Sequence, residues 1–350
     1  MASLAVVVSH TLLAGPSIGL PAREKGLDLA GFGVTIFFAL SGFLITYLLM
    51  MEKGKFHTIN IKAFYIRRLL RILPLYYFYL LLAVIAISFF QLIELPGTLG
   101  FYVFLSANVP FILGMAMPLV GHYWSLGVEE QFYLFWPWVV ARTKRLTRIL
   151  VYSIAVFILV KVALSILYRY TGVLWPFSIL SVSRFDCMAI GALGAKLAFD
   201  DNKIFKKIVF NPIVEIIAWG VIALLFLNSF HIISSIDNDI IAVVTVVLIM
   251  NVSLNKRKII CLDKPLLNFL GKISYGIYVY HPLVILFSTK TINSMDFSLT
   301  RGQKLFTVLA LVLFFTISIA WLSYEFFEKR FLRRKDRFAV ITSSSMQLNV

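Results

Sequence analysis

Ala2-Ser-Leu-Ala-Val-Val-Val-Ser-His10-Thr-Leu-Leu13 opens the chain. The stretch is too hydrophobic for a surface helix, yet it carries an ionisable ring. If it crosses a bilayer, His10 sits where a polar group is costly to keep. Two readings stay open at this point. His10 is a structural histidine bonded to a neighbouring helix, or it does chemistry. The stretch lacks the basic leader of a cleaved signal peptide. It also begins at Met1 already inside the apolar run, so it reads as a genuine first span missing its cytoplasmic start.

Composition extends that reading to the whole chain. Of 350 residues, 60% are hydrophobic and 14% charged. A soluble chain carries roughly a quarter charged residues. Apolar runs close to 20 residues recur and do not alternate, which predicts an all-α polytopic membrane protein rather than a β-barrel. The two cysteines, Cys187 and Cys261, have no metal-ligand or disulfide spacing. No metal is expected. The net charge of +16 fits basic cytoplasmic loops and anionic lipid headgroups better than nucleic acid.

The apolar runs fall near 2–20, 32–51, 73–92, 98–117, 125–141, 147–170, 181–199, 211–229, 239–254, 270–289 and 304–326. Loop 52–72 carries Lys53, Lys55, Lys62, Arg67, Arg68 and Arg71, which places it on the cytoplasmic side. Loop 21–31 is then outside. If 98–117 lies in or re-enters from the outer face, the basic loops 142–148, 203–207, 255–264 and 328–337 also fall inside. The expected architecture is therefore about ten transmembrane helices with both termini cytoplasmic. One transmembrane domain occupies 1–337, with a polar tail at 338–350.

Four constellations carry candidate chemistry. Arg68 and Arg71 share a face of an amphipathic stretch feeding a span, with Arg67 beside them. They form either a basic stop at the headgroups or a clamp for an anion bearing several phosphates, such as a coenzyme A thioester. His122-Tyr-Trp-Ser-Leu-Gly-Val-Glu-Glu130 sets Trp124, Ser125, Glu129 and Glu130 at the outer end of a span. The acidic pair among aromatic rings suits a polyol or sugar subsite. Arg184 and Asp186 do not share a helix face, so each needs partners on other helices, as a structural ion-pair network would supply. Ser274, Tyr275 and His281 belong to a stretch in which Ser274, Tyr278 and His281 lie on one face. His281 could also satisfy a carbonyl freed by Pro282. Lys161 and Glu215 read as lone charges near span ends, with Lys161 snorkelling. His57 and His231 read as solvated.

At these residues the chain resembles the membrane-bound acyltransferase-3 family, bacterial O-acyltransferases that modify surface carbohydrates. The likeness runs nearly end to end. Its motifs are the span ending in His10, Gly33-Val-Thr-Ile-Phe-Phe-Ala-Leu-Ser-Gly-Phe-Leu-Ile45, and Phe64-Tyr-Ile-Arg-Arg-Leu-Leu-Arg-Ile-Leu-Pro74. They continue with Tyr123-Trp-Ser-Leu-Gly-Val-Glu-Glu-Gln-Phe-Tyr133, Ser183-Arg-Phe-Asp186 and Ile273-Ser-Tyr-Gly-Ile-Tyr-Val-Tyr-His281. The resemblance implies a ten-span core, His10 as the catalytic group, and arginines that contact an acyl-CoA donor. A mid-membrane imidazole can stay neutral. It would then act as general base on an acceptor hydroxyl or carry the acyl group itself. Family members also carry an arginine eleven residues before that histidine, a position that falls ahead of Met1. Lys329 stands where the family usually has proline.

The expected function is an integral-membrane O-acyltransferase of the bacterial cytoplasmic (inner) membrane, with acetyl as the expected group. Acyl-CoA, expected as acetyl-CoA, serves as donor substrate, and no cofactor is held permanently. The acceptor is a cell-surface or lipid-linked carbohydrate. Membrane lipids are the other partners, and nucleic acid is not one. A secondary transporter of a sugar or acylated substrate is the alternative, since intramembrane His, Arg, Asp and Glu suit it too. Against it stands the lack of visible repeats and of paired broken helices. A non-catalytic assembly protein is the third reading.

Overall fold

The computed structural model describes residues 2–19, 29–94, 97–295 and 300–338, and all regular structure among them is helical. The first half holds α1 (Ala2–Leu13), α2 (Leu29–Phe56), α3 (Ile61–Phe89), α4 (Leu99–Val103), α5 (Asn108–Ile112), α6 (Trp124–Arg142) and α7 (Leu146–Thr171). Next come α8 (Trp175–Ser183), α9 (Phe185–Phe199), α10 (Lys203–Val209), α11 (Pro212–Phe226) and α12 (Asp237–Leu254). The chain closes with α13 (Pro265–Lys272), α14 (Ser274–Ser294), α15 (Arg301–Ser323), a π-helical turn at Tyr324–Glu328, and α16 (Lys329–Asp336). Most of loop 21–31, and the tail beyond residue 338, lie outside the described residues.

Local chemistry sets the helix ends. Asn60 begins α3 by accepting the Ala63 N–H at 2.9 Å, and Asn202 and Asn211 cap α10 and α11 in the same way. Thr300 and Gln303 satisfy each other's backbone at the start of α15. Gly172, at φ 72°, closes α7.

Among the described residues, six helical stretches are long and apolar enough to cross a membrane: α2, α3, α7, α8 with α9, α12, and α15 with α16. Two bent pairs, α10–α11 at 57° and α13–α14 at 67°, bring the number to eight. The protein is a multi-pass membrane protein. The bent pairs were not anticipated, and they remove one of the two arguments against a transporter. Both bends lie beside basic residues (Lys203, Lys206 and Lys207; Lys264 and Lys272). A basic interfacial helix meeting its span gives that pattern at the headgroup level, whereas a transporter's broken helix interrupts at mid-depth.

Residues 98–117 form no continuous helix. Their backbone is held by tyrosine hydroxyls. Tyr76 Oη donates to the Tyr102 carbonyl at 2.7 Å, and Tyr102 Oη accepts the Met117 N–H at 2.8 Å. Tyr79 Oη donates to the Leu119 carbonyl at 2.9 Å. An irregular segment against apolar helices needs such partners, because buried peptide groups left unpaired are costly.

The core is organised around α2, which packs against α1, α6, α9 and α12. Its contact with α9 is backbone to backbone. A Cβ on Gly42 would lie 2.0 Å from the Met188 carbonyl oxygen, and one on Gly191 would lie 2.0 Å from that of Ala39. Only glycine permits this approach.

Candidate functional site

A cavity of about 730 Å³ opens between α2, α3, α6 and α14, with α16 at its edge. Its walls are mainly apolar. Arg67, Arg68 and Arg71 line it from α3, Ser125 and Glu129 from α6, and Ser274 and Tyr275 from α14. Helix α3 presents its arginines together because positions three or four apart share a face.

The arginines differ in their surroundings. Arg67 is tied down: Nη2 lies 3.3 Å from Glu52 Oε2, and Nη1 donates to the Phe338 carbonyl at 2.7 Å. Arg68 lies over the Tyr133 ring, 4.8 Å from its centroid. Arg71 is exposed and faces the cavity. A polyanion entering here would therefore meet Arg68 and Arg71 ahead of Arg67, whose charge Glu52 already offsets.

The acidic pair on α6 divides. Glu129 lines the cavity, and its Oε1 accepts hydrogen bonds from Ser41 Oγ and Tyr133 Oη. Glu130, one residue on, does not line it, and Glu130 Oε1 is buried without a hydrogen-bond partner among the described residues. Adjacent residues on a helix point about 100° apart, which separates them. Glu129 and the arginines therefore face one space, where the sequence placed them at opposite ends. Trp124 lies outside the lining. It stacks on Phe111 with centroids 5.1 Å apart and lies under Arg184.

His10 does not line the cavity either. It belongs to a cluster behind one wall. His10 Nδ1 and His281 Nε2 are 2.8 Å apart, and His281 Nδ1 is 2.7 Å from the Tyr278 carbonyl oxygen. The His122 ring packs against His281, with centroids 5.1 Å apart. Tyr278 is the link to the cavity, since it lines it and its hydroxyl lies 2.6 Å from Ser125 Oγ. The sequence placed His122 at an outer span end, with no sign that it would join two histidines from distant segments.

Arg184 and Asp186 do not line this cavity. Arg184, at φ 45° between α8 and α9, donates from Nη1 to the Gly31 carbonyl at 2.7 Å and to Thr35 Oγ1 at 2.8 Å. Asp186 pairs with Lys161, which also meets Asp239 at 2.5 Å. The expectation of a snorkelling Lys161 fails. It is 4% exposed, near the middle of α7, and joins carboxylates from α9 and α12. Nor is Glu215 a lone charge: it is buried and accepts the Ile259 N–H at 2.9 Å. His231 is exposed, as its loop position suggested, with Nδ1 2.7 Å from Asp237 Oδ2.

Asp186, Cys187 and Asp239 do bring ligand atoms within 4.8 Å of one another, as a metal site would. The Lys161 ammonium already rests against both carboxylates and supplies the cation they need.

Fold and cavity together define a multi-pass helical membrane protein with an arginine-lined internal site. The family model described as "Acyltransferase domain" matches residues 1–325, and the chain belongs to that family, acyltransferase-3. The chain is 30% identical over 330 residues to the O-acetyltransferase OatA of Staphylococcus aureus, covering 85% of this chain and 51% of that protein. It is 40% identical over 117 residues to the peptidoglycan O-acetyltransferase OatA of Listeria monocytogenes, covering 30% of this chain and 19% of that protein. The chain thus spans about half the length of the staphylococcal relative. No solved structure matches it.

Proposed function

We propose that the protein is an integral-membrane O-acetyltransferase. It moves an acetyl group from cytoplasmic acetyl-CoA to a hydroxyl of an extracytoplasmic carbohydrate, with a peptidoglycan sugar as the first acceptor to test. The observation that carries this is the arginine-lined cavity ending at Tyr278 and Ser125, in a chain of this family. Guanidinium groups suit the phosphates of such a donor, and the apolar walls suit its pantetheine arm and acyl group. The names of the relatives support acetyl as the group and peptidoglycan as the acceptor class.

The proposal includes ten spans in a bacterial cytoplasmic (inner) membrane. They are the six long stretches, the two bent pairs, and α1 and α6, with both termini cytoplasmic and residues 98–117 at the outer face. Residues 1–337 form the transmembrane domain and 338–350 a polar tail. His10 is the acyl-transfer group, as base or as carrier. Because His10 stands behind Tyr278 and His281, the wall at Tyr278 must move for the acyl carbon to reach it.

The test uses the purified full-length chain with labelled acetyl-CoA and peptidoglycan fragments. Transfer of label to the glycan, abolished by His10→Ala in a protein that still inserts, is the expected result. Glycan movement across vesicles without acyl chemistry would replace this reading with the transporter.

A further inference from the structure

Helix α14 contains Pro282, which has no N–H to give to the carbonyl four residues earlier, that of Tyr278. The freed carbonyl is buried and needs a donor. His281 supplies it: its Nδ1 lies 2.7 Å from that oxygen. A carbonyl oxygen can only accept, so Nδ1 of His281 must carry the proton.

His281 is fully buried against His122 and Tyr278, with no carboxylate hydrogen-bonded to its ring among the described residues. An imidazolium in that place would be an unpaired buried charge, which is costly. The ring is therefore neutral and holds one proton, at Nδ1. Its Nε2 is left with a lone pair and can only accept. The atom 2.8 Å away is Nδ1 of His10. That contact is a hydrogen bond only if His10 carries its own proton at Nδ1.

We propose that His281 is a positioning residue that holds His10 in the Nδ1–H tautomer and leaves the Nε2 lone pair of His10 free to act. The proline kink, the Tyr278 carbonyl, His281 and His10 form one directional chain, in which each proton's position dictates the next. A histidine in water favours the Nε2–H form, so His10 alone would block the atom it needs. This inference rests on the reading of His10 as the acyl-transfer group. Its chemistry serves either role of His10, because base and carrier both use an unprotonated nitrogen.

Two readouts test it in the full-length protein. The first is nitrogen NMR of ring-labelled histidine, with the His10 signals assigned by their loss in His10→Ala. Wild-type protein is expected to show His10 protonated at Nδ1, and His281→Leu to shift it toward the Nε2–H form. The second is kinetics. His281→Leu should lower kcat on the order of 100-fold or more, as loss of the group that sets a histidine tautomer does elsewhere, while KM for acetyl-CoA stays near the wild-type value. His281→Gln, whose amide oxygen can accept from His10 and whose amide nitrogen can donate, should recover most of that loss. His10 protonated at Nε2 in the wild type would overturn the proposal. So would a folded His281→Leu with unchanged kcat, or a folded His281→Gln as impaired as His281→Leu. If His10→Ala itself stays fully active, the catalytic reading falls, and the spectrum still decides the tautomer.

Discussion

Lys161 Nζ stands 2.5 Å from Asp239 Oδ2 and also touches Asp186, tying α7 to α9 and α12. Most of α7 is otherwise poorly buried, so this contact anchors it. Removing one partner from a buried ion pair costs about 3–5 kcal/mol, because it leaves the remaining charge unpaired. Lys161→Leu should lower the Tm in detergent strongly. Adding Asp186→Asn and Asp239→Asn should restore much of it, since neutral amides need no counter-charge. An unchanged Tm for Lys161→Leu would refute the anchor. If the triple variant is stable but loses transfer, Asp186 belongs with the acceptor site.

The arginines should not behave alike. On the proposed reading Arg68 and Arg71 each give the donor a hydrogen bond to a charged group, worth about 1.5–3 kcal/mol, so Arg68→Ala and Arg71→Ala should each cost roughly 10- to 150-fold in donor affinity. Arg67 is held by Glu52 and by the Phe338 carbonyl, so Arg67→Ala should weaken donor binding less and loosen the end of α16 more. Equilibrium binding of labelled acetyl-CoA ranks the three. A larger loss for Arg67→Ala than for the others would reassign the clamp.

Glu129 accepts from Ser41 and Tyr133 through one oxygen, and an amide oxygen can accept both. Glu129→Gln should therefore leave the Tm near the wild-type value while removing a negative charge beside Arg68 and Arg71. Donor affinity should rise or hold, because the cavity becomes more positive. Transfer to the glycan should fall if the carboxylate orients the acceptor. Weaker donor binding in this variant would instead make Glu129 a support for the arginines.

The helical class and the clustering of α3 arginines were legible because each rests on neighbours in sequence. Hydropathy runs report burial in lipid, and a spacing of three reports a shared face. Lys161 was misread because its partners lie on α9 and α12, and a lone basic residue in an apolar run looks the same whether it snorkels or pairs. Glu129 and Glu130 were read as one unit because adjacency in sequence hides the rotation between successive helix positions. The histidine cluster was hidden for the same reason as Lys161: His10 and His281 are 271 residues apart. One part of it was visible. A histidine directly before a proline in an apolar helix points to a freed carbonyl, and that carbonyl is what His281 satisfies.

The α2–α9 crossing offers the sharpest structural test. A Cβ at Gly42 or Gly191 would fall 2.0 Å from a backbone carbonyl oxygen, so the obstacle is main chain and cannot rotate away. Gly42→Ala and Gly191→Ala must push the helices apart, at about 1–3 kcal/mol or more for overpacking. The shift would also disturb Ser41, which lines the cavity beside Gly42. Both variants should lose thermal stability and transfer together. Gly220 in α11 is the control: nothing lies within 4 Å of its Cβ position, and alanine is the better helix former there by about 1 kcal/mol. Gly220→Ala should match or exceed the wild-type Tm. If Gly191→Ala proves as stable as Gly220→Ala, the two backbones do not meet as described, and the position of the cavity beside them would need revision.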